Sequence, residues 1–183
     1  MNESIYAQGK MFELVHLKQP DGRVFEVARR APGVRVIIAN QQKRQVLLTK
    51  EFRRELNGYD YRLPGGKVFD SLAEFEQFRG TDRDILEPAS AKAQAEAAEE
   101  AGMMIDGVTL FKKSTLGATV EWDLYVFEAT SWRKHQDGQT LEEGEQVDDV
   151  SWYDFDKVEK MILAGDMQEE RIALILLQWL HSR

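Results

Sequence analysis

The residues most able to do chemistry lie together in AEAAEEAGM, Ala95 to Met103, where glutamates occupy positions 96, 99 and 100. On a helix, offsets of three and four place such side chains on adjoining surface, roughly 5–6 Å apart at Cβ. Like charges so spaced repel by roughly 0.2–0.5 kcal/mol per pair in an isolated helix. Local helix stability therefore does not account for the cluster, and a bound cation would. Taken alone, the cluster also reads as the solvated acidic face of an ordinary surface helix. Behind it, Ala89, Ala93, Ala97 and Ala101 recur every fourth residue, a smooth ridge able to lie close against a sheet. Pro88 suits the first helical position and Gly102 a left-handed stop, so the spacing predicts a helix over about 88–101.

The rest of the chain bounds what such a cluster can serve. Its 183 residues suit one domain, or one domain with a small appendage, long enough to bury a core. A net charge of −8 opposes non-specific attraction to long nucleic acid, yet suits a site where metal ions screen a phosphorylated small molecule. With no cysteine there is no disulfide framework, thiolate metal site or cysteine nucleophile, and a reducing cytoplasm is compatible. His16, His135 and His181 have no short ligand spacing. The N-terminal MNESIYAQGK lacks the apolar core of a signal peptide, and no run reaches membrane-spanning length, so a soluble cytoplasmic protein is expected. Gly9-Lys10 lacks the glycine-rich loop of a nucleotide-binding P-loop, and there is no Gly-x-Ser-x-Gly elbow.

The elements that must carry the acidic helix follow from periodicity and turn chemistry. MFELVHL and RVFEVARR flank Gln19-Pro20-Asp21-Gly22, so residues 11–30 read as a hairpin. VRVIIAN (34–40) and QVLLTKEF (45–52) are β-branched runs joined by a polar link, a second hairpin. YRLPGG (61–66) ends a strand in a glycine corner. Ser71 and Glu74 form a capping box for a short helix in SLAEFEQFRG (71–80), with Leu72, Phe75 and Phe78 on one side. Residues 108–117 and 120–130 alternate as paired strands, and 132–146 reads as a polar loop. A strand at 150–155 then leads into helices over 154–165 and 169–183. Intermixed strands and helices predict an α/β sandwich with a mixed sheet.

Glycine corner, Glu87 and AEAAEEAGM together resemble the Nudix box. Its pattern is Gly, five residues, Glu, seven residues, then Arg-Glu-apolar-any-Glu-Glu-any-Gly-apolar. Glu87, Glu96, Ala97, Glu99, Glu100, Gly102 and Met103 match in order. There are two departures. Residues 67–86, twenty in all, separate Gly66 from Glu87, so the helix around Phe75 looks inserted into the box loop. The box arginine is Ala95, and Lys92, one turn before Glu96, substitutes for it in charge but not in bidentate geometry.

The resemblance implies a Nudix-type α/β/α sandwich over 34–183, with an N-terminal antiparallel hairpin region over 1–33. It further implies that Glu96, Glu99 and Glu100, with the Gly65 carbonyl, ligate Mg²⁺, Mn²⁺ being the alternative. Carboxylates holding hard divalent cations neutralise a diphosphate and help to deprotonate a water. Similarity to the ADP-ribose and nucleoside-diphosphate-sugar pyrophosphatase branch extends over most of 11–183, including KEFR (50–53) and the closing LLQWL. That branch implies phosphate contacts from Arg53 and from Arg29 or Arg30. It also implies a general base in the late loop, at Glu145 with Glu142 and Glu143 as rivals, and a homodimer through the N-terminal strands. Phe25, Trp122 and Trp132 could stack on a base, or serve as core or rim. The expected activity is hydrolysis of ADP-ribose or a nucleoside-diphosphate sugar to a nucleoside monophosphate and a sugar phosphate. Alternatives are a non-catalytic nucleotide-metabolite sensor and a hydrolase of dinucleoside polyphosphates or capped RNA ends.

Overall fold

The computed structural model describes residues 2–136, 138–141 and 146–183. Strands β1 (Asn2–Gln8), β2 (Phe12–Lys18) and β3 (Val24–Arg30) form an N-terminal antiparallel sheet. The anticipated hairpin is β2–β3, turning where Gly22 adopts φ +86° and donates to the Gln19 carbonyl. Strand β1 comes from a segment to which the sequence assigned no element. It is exposed throughout and is held by pairing with β2 rather than by burial.

Strands β4 (Gly33–Ile37), β5 (Ala39–Asn40), β6 (Gln45–Arg53) and β7 (Gly58–Arg62) follow, then helices α1 (Leu72–Arg79) and α2 (Leu86–Ala101). Next are β8 (Met103–Ser114), β9 (Val120–Glu121), β10 (Leu124–Lys134), β11 (Val147–Asp154), α3 (Phe155–Ala164) and α4 (Glu170–Leu180). One sheet has the order β4-β10-β8, with β10 parallel to β4 and antiparallel to β8. Another runs β11-β6-β5, with β7 also on β6, and β9 pairs in parallel with β3. The fold is thus mixed α/β.

Alternation along the central strands separates two cores. Val34 and Val36 of β4, with Tyr125 and Phe127 of β10, meet the α2 ridge of Ala89, Ala93, Ala97 and Ala101. Ile37, Leu124 and Val126 face the other way, onto Phe155 and Val158 of α3 and Ile172, Leu176 and Trp179 of α4. A Cβ-only ridge lets α2 approach closely, and the period of two sends successive strand residues to opposite layers. This is the anticipated helix–sheet–helix layering.

Helix α2 begins two residues before the predicted start. Pro88 falls in its first turn, where a missing N–H costs nothing because those donors have no intrahelical partner. Gly102 closes the helix at φ +59°, its N–H donating to Ala98. Strand β10 continues to Lys134, into the stretch that read as loop, because its last residues pair with Met103 to Ile105 of β8. Ser71 caps α1 as expected, with Oγ accepting from the Glu74 N–H. Glu74 reaches back one residue further than a standard box, to the Asp70 N–H. Leu72 is buried, and Phe69 packs on Phe75 and Phe78. The segment 67–86 therefore carries a small apolar cluster of its own.

Candidate active site

The glycine corner and α2 meet in a way that demands glycine twice. At Gly65, with φ +149°, an added Cβ would stand 2.2 Å from the Val34 carbonyl oxygen. At Gly66 it would stand 2.0 Å from Oε1 of Glu96. The first glycine lets the corner press against β4; the second leaves room for a carboxylate. The Gly65 N–H then donates to Oε2 of Glu100 at 2.7 Å.

Glu96 and Glu100 are accordingly buried, although both belong to the face that read as acidic surface. Burial, with the nearby Glu51 and Glu96 charges adding to it, pushes the Glu100 carboxyl up to about 8. Arg35 and the Gly65 N–H act in the opposite sense. Burial also raises Glu96, against the favourable pull of Lys92. Lys92 Nζ lies 3.1 Å from Oε1 of Glu96 and 3.4 Å from Oε2 of Glu99. Burial works against the Lys92 charge, but the two glutamates more than offset it and raise its affinity for the proton. Glu99 is the more exposed member of the trio.

Glu96, Glu100 and Lys92 open onto a cavity of about 500 Å³, whose wall does not include Glu99. Its wall includes Glu96, Glu100, Gly65, Gly66 and Lys92 from the corner and α2, and Glu51 and Arg53 from β6. Arg30, Arg35, Trp122, Gln146 and Val147 complete the part relevant to chemistry. Glu51 accepts from Thr49 Oγ1 at 2.7 Å and lies 3.6 Å from Arg53 Nη1, while Arg53 Nε donates to Glu55 at 2.9 Å. Arg30 lies over the Trp122 ring, 4.4 Å from its centroid, and burial lowers its pKa.

Of the residues singled out from sequence, Gly65, Glu96, Glu100, Arg53 and Arg30 come together here. Arg29 lies outside this wall. Its guanidinium is taken up by Glu3 at 2.6 Å, Glu13 at 3.0 Å and Glu121 at 2.5 Å, ion pairs that tie β1, β2 and β9 to β3. Glu3, against the opposing effect of burial, and Glu121 raise its pKa still further. Neighbouring positions on a strand face opposite sides, so Arg29 and Arg30 divide between structure and cavity. Glu145, Glu142 and Glu143 lie outside the described residues. Phe25 is exposed on β3, and Trp132 packs on Trp152 with its Nε1 donating to the Ala39 carbonyl, so neither belongs to this wall. Trp122 does.

Sequence reasoning passed over Glu51 and Arg35. Arg35 is a charge between two buried valines, and Glu51 is a charge close behind the buried run Val46–Thr49; a charge so placed requires a partner. That was the available signal.

The donor set suits a hard divalent cation: oxygen ligands, excess negative charge and partial desolvation in one wall. Among the described residues, however, no three His, Asp or Glu side chains are drawn together closely enough to hold an ion. Lys92 holds Glu96 and Glu99, and the Gly65 N–H holds Glu100, so loading would require the Lys92 ammonium to give way.

No protein-family model and no curated protein sequence matches this chain. Among solved structures, one described as "Crystal structure of ADP compounds hydrolase" superposes with a TM-score of 0.69. The match covers 100% of this chain and 93% of that chain at 17% identity. The likeness is one of fold. Among the described residues no helix is long and apolar enough to cross a membrane.

Proposed function

We propose that the chain is a Nudix-type, divalent-metal-dependent hydrolase that cleaves the pyrophosphate of ADP-ribose or a nucleoside-diphosphate sugar. The observation that carries this reading is the convergence of Glu96, Glu100 and the Gly65 corner on one cavity with Arg53 and Arg30. The fold it shares with a solved ADP compounds hydrolase supports it. Glu96, Glu99, Glu100 and the Gly65 carbonyl would hold Mg²⁺ or Mn²⁺, which when bound supplies charge neutralisation for the diphosphate and acidifies a water.

The remaining work falls to the chain's own groups. Arg53 and Arg30 bind and orient the phosphates, a role in which a planar guanidinium matches paired oxygens. Gly66 leaves the Glu96 carboxylate free to move within its corner. Glu145 is assigned as the base that takes the proton of the attacking water, on the sequence alone; it directly precedes Gln146 and Val147 of the cavity wall. The attack breaks one phosphorus–oxygen bond of the anhydride and yields a nucleoside monophosphate and a sugar phosphate.

A homodimer through the N-terminal sheet is part of the same proposal. Ile5, Tyr6, Phe12, Val24 and Phe25 are exposed on its three strands, apolar side chains that a partner sheet would cover.

A substrate panel tests the proposal. Nucleoside-diphosphate sugars, dinucleoside polyphosphates and nucleoside triphosphates are incubated with Mg²⁺ or Mn²⁺, and products are resolved chromatographically. Cleavage of the diphosphate sugars to two monophosphates supports it. Binding without turnover would favour a sensor, and turnover of dinucleoside polyphosphates alone would move the substrate class.

A further inference from the structure

Arg35 lies in β4 between Val34 and Val36, both fully buried. A guanidinium in such a strand needs matching charge and hydrogen-bond acceptors. Arg35 Nη1 donates to the carbonyl of Gly65 and, at 3.3 Å, to that of Val34, while its Nε is buried with no hydrogen-bond partner among the described residues. Its charge favours the ionised forms of both Glu96 and Glu100. The same corner thus presents two faces. The Gly65 N–H holds Glu100, and the Gly65 carbonyl holds Arg35. No arginine stands immediately before Glu96, where the chain has Ala95.

We propose that Arg35 is the built-in counter-cation of the acidic cluster, holding the Gly65 carbonyl until a divalent cation takes its place there, so that this competition sets the chain's metal affinity. The inference rests on the metal-dependent reading above. Two cations at one carbonyl repel, so metal binding displaces the guanidinium. Arg35 is anchored by its own strand, so displacement moves only the side chain, and the freed guanidinium still lines the cavity. Lys92 plays a different part: it contacts the carboxylates themselves and leaves the Gly65 carbonyl alone.

The test is calorimetric titration of Mn²⁺ into the full chain and into Arg35→Met, with melting of both proteins in chelator. Removing the competitor should tighten Mn²⁺ binding by at least about tenfold, because a larger fraction of the sites is free to accept the ion. It should also lower the metal-free melting temperature. If the wild type binds Mn²⁺ and Arg35→Met binds it equally or more weakly, the counter-cation role is overturned and the metal site stands. If neither binds Mn²⁺, the metal site fails and the inference fails with it. Should Arg35→Met not fold, Arg35→Lys gives the same comparison, since its shorter side chain keeps the charge but draws the donor back from the Gly65 carbonyl. Tighter Mn²⁺ binding by Arg35→Lys supports the proposal; unchanged or weaker binding overturns it.

Discussion

A Cβ at Gly66 would stand 2.0 Å from Oε1 of Glu96, whereas a Cβ at Gly65 would stand 2.2 Å from the backbone oxygen of Val34. Adjacent glycines thus answer to different neighbours. Gly66→Ala displaces the end of a flexible side chain, so the protein should stay folded with a melting temperature near wild type while kcat falls. Gly65→Ala meets backbone at a positive φ and should lower the melting temperature markedly. Thermal melts beside one steady-state assay check both, and equal stability losses in the two variants would refute the distinction.

The Glu100 carboxyl should make the metal-free protein sensitive to base. Its folded-state pKa of about 8 lies above the ordinary carboxylate value of 4.5. A raised pKa contributes stability that is full below the unfolded value and is lost as pH rises through the folded value. Melting temperature in chelator should therefore fall between about pH 5 and pH 8. Glu100→Gln should flatten that fall. Mg²⁺ or Mn²⁺ should reverse it, adding about 2.7 kcal/mol at a hundredfold excess over Kd, where Na⁺ at matched ionic strength does not.

Arg29 and Arg53 should separate stability from substrate binding. Arg29→Ala leaves the buried Glu13 without its partner and should cost about 3 kcal/mol of stability, read by denaturant titration, with KM retained in the surviving folded protein. Arg53→Ala should cost less stability than Arg29→Ala, because Arg53 is more exposed and Glu51 keeps its Thr49 hydrogen bond, and should raise KM for the diphosphate substrate. The reverse pattern would place Arg29 at the phosphates.

The architecture was legible where the chain obeys a period. The alanine ridge predicted the helix and its buried side, Ser71 and Glu74 located α1, and Gly102 marked the stop of α2. Strand β1 was missed because an exposed strand held only by pairing leaves no alternation of burial to read. The acidic helix was legible as a cluster but not as a buried one. Glu96 and Glu100 sink into the wall because Gly65 and Gly66 sit against them, and that contact joins positions 30 to 35 residues apart, outside any local pattern. Arg35 went unread for the same reason, since the Gly65 carbonyl comes from outside its strand, whereas Glu51 finds Thr49 and Arg53 on its own strand.

The N-terminal sheet should mediate self-association. Phe25→Asp places a charge on an exposed apolar residue of β3, so it should convert a dimer into a monomer in sedimentation without unfolding it. A wild-type protein that sediments as a monomer would contradict the dimer.

The most direct test of the account is kcat on the best diphosphate-sugar substrate, with saturating Mg²⁺, for the wild type, Glu96→Gln and Glu100→Gln. Both substitutions keep size and remove the charge that would balance a cation where the transition state needs it. Each should lower kcat by at least about a hundredfold while the protein remains folded, and chelation should abolish wild-type turnover. Near-normal kcat in both variants would contradict the assignment of this cavity as a metal-dependent pyrophosphatase centre.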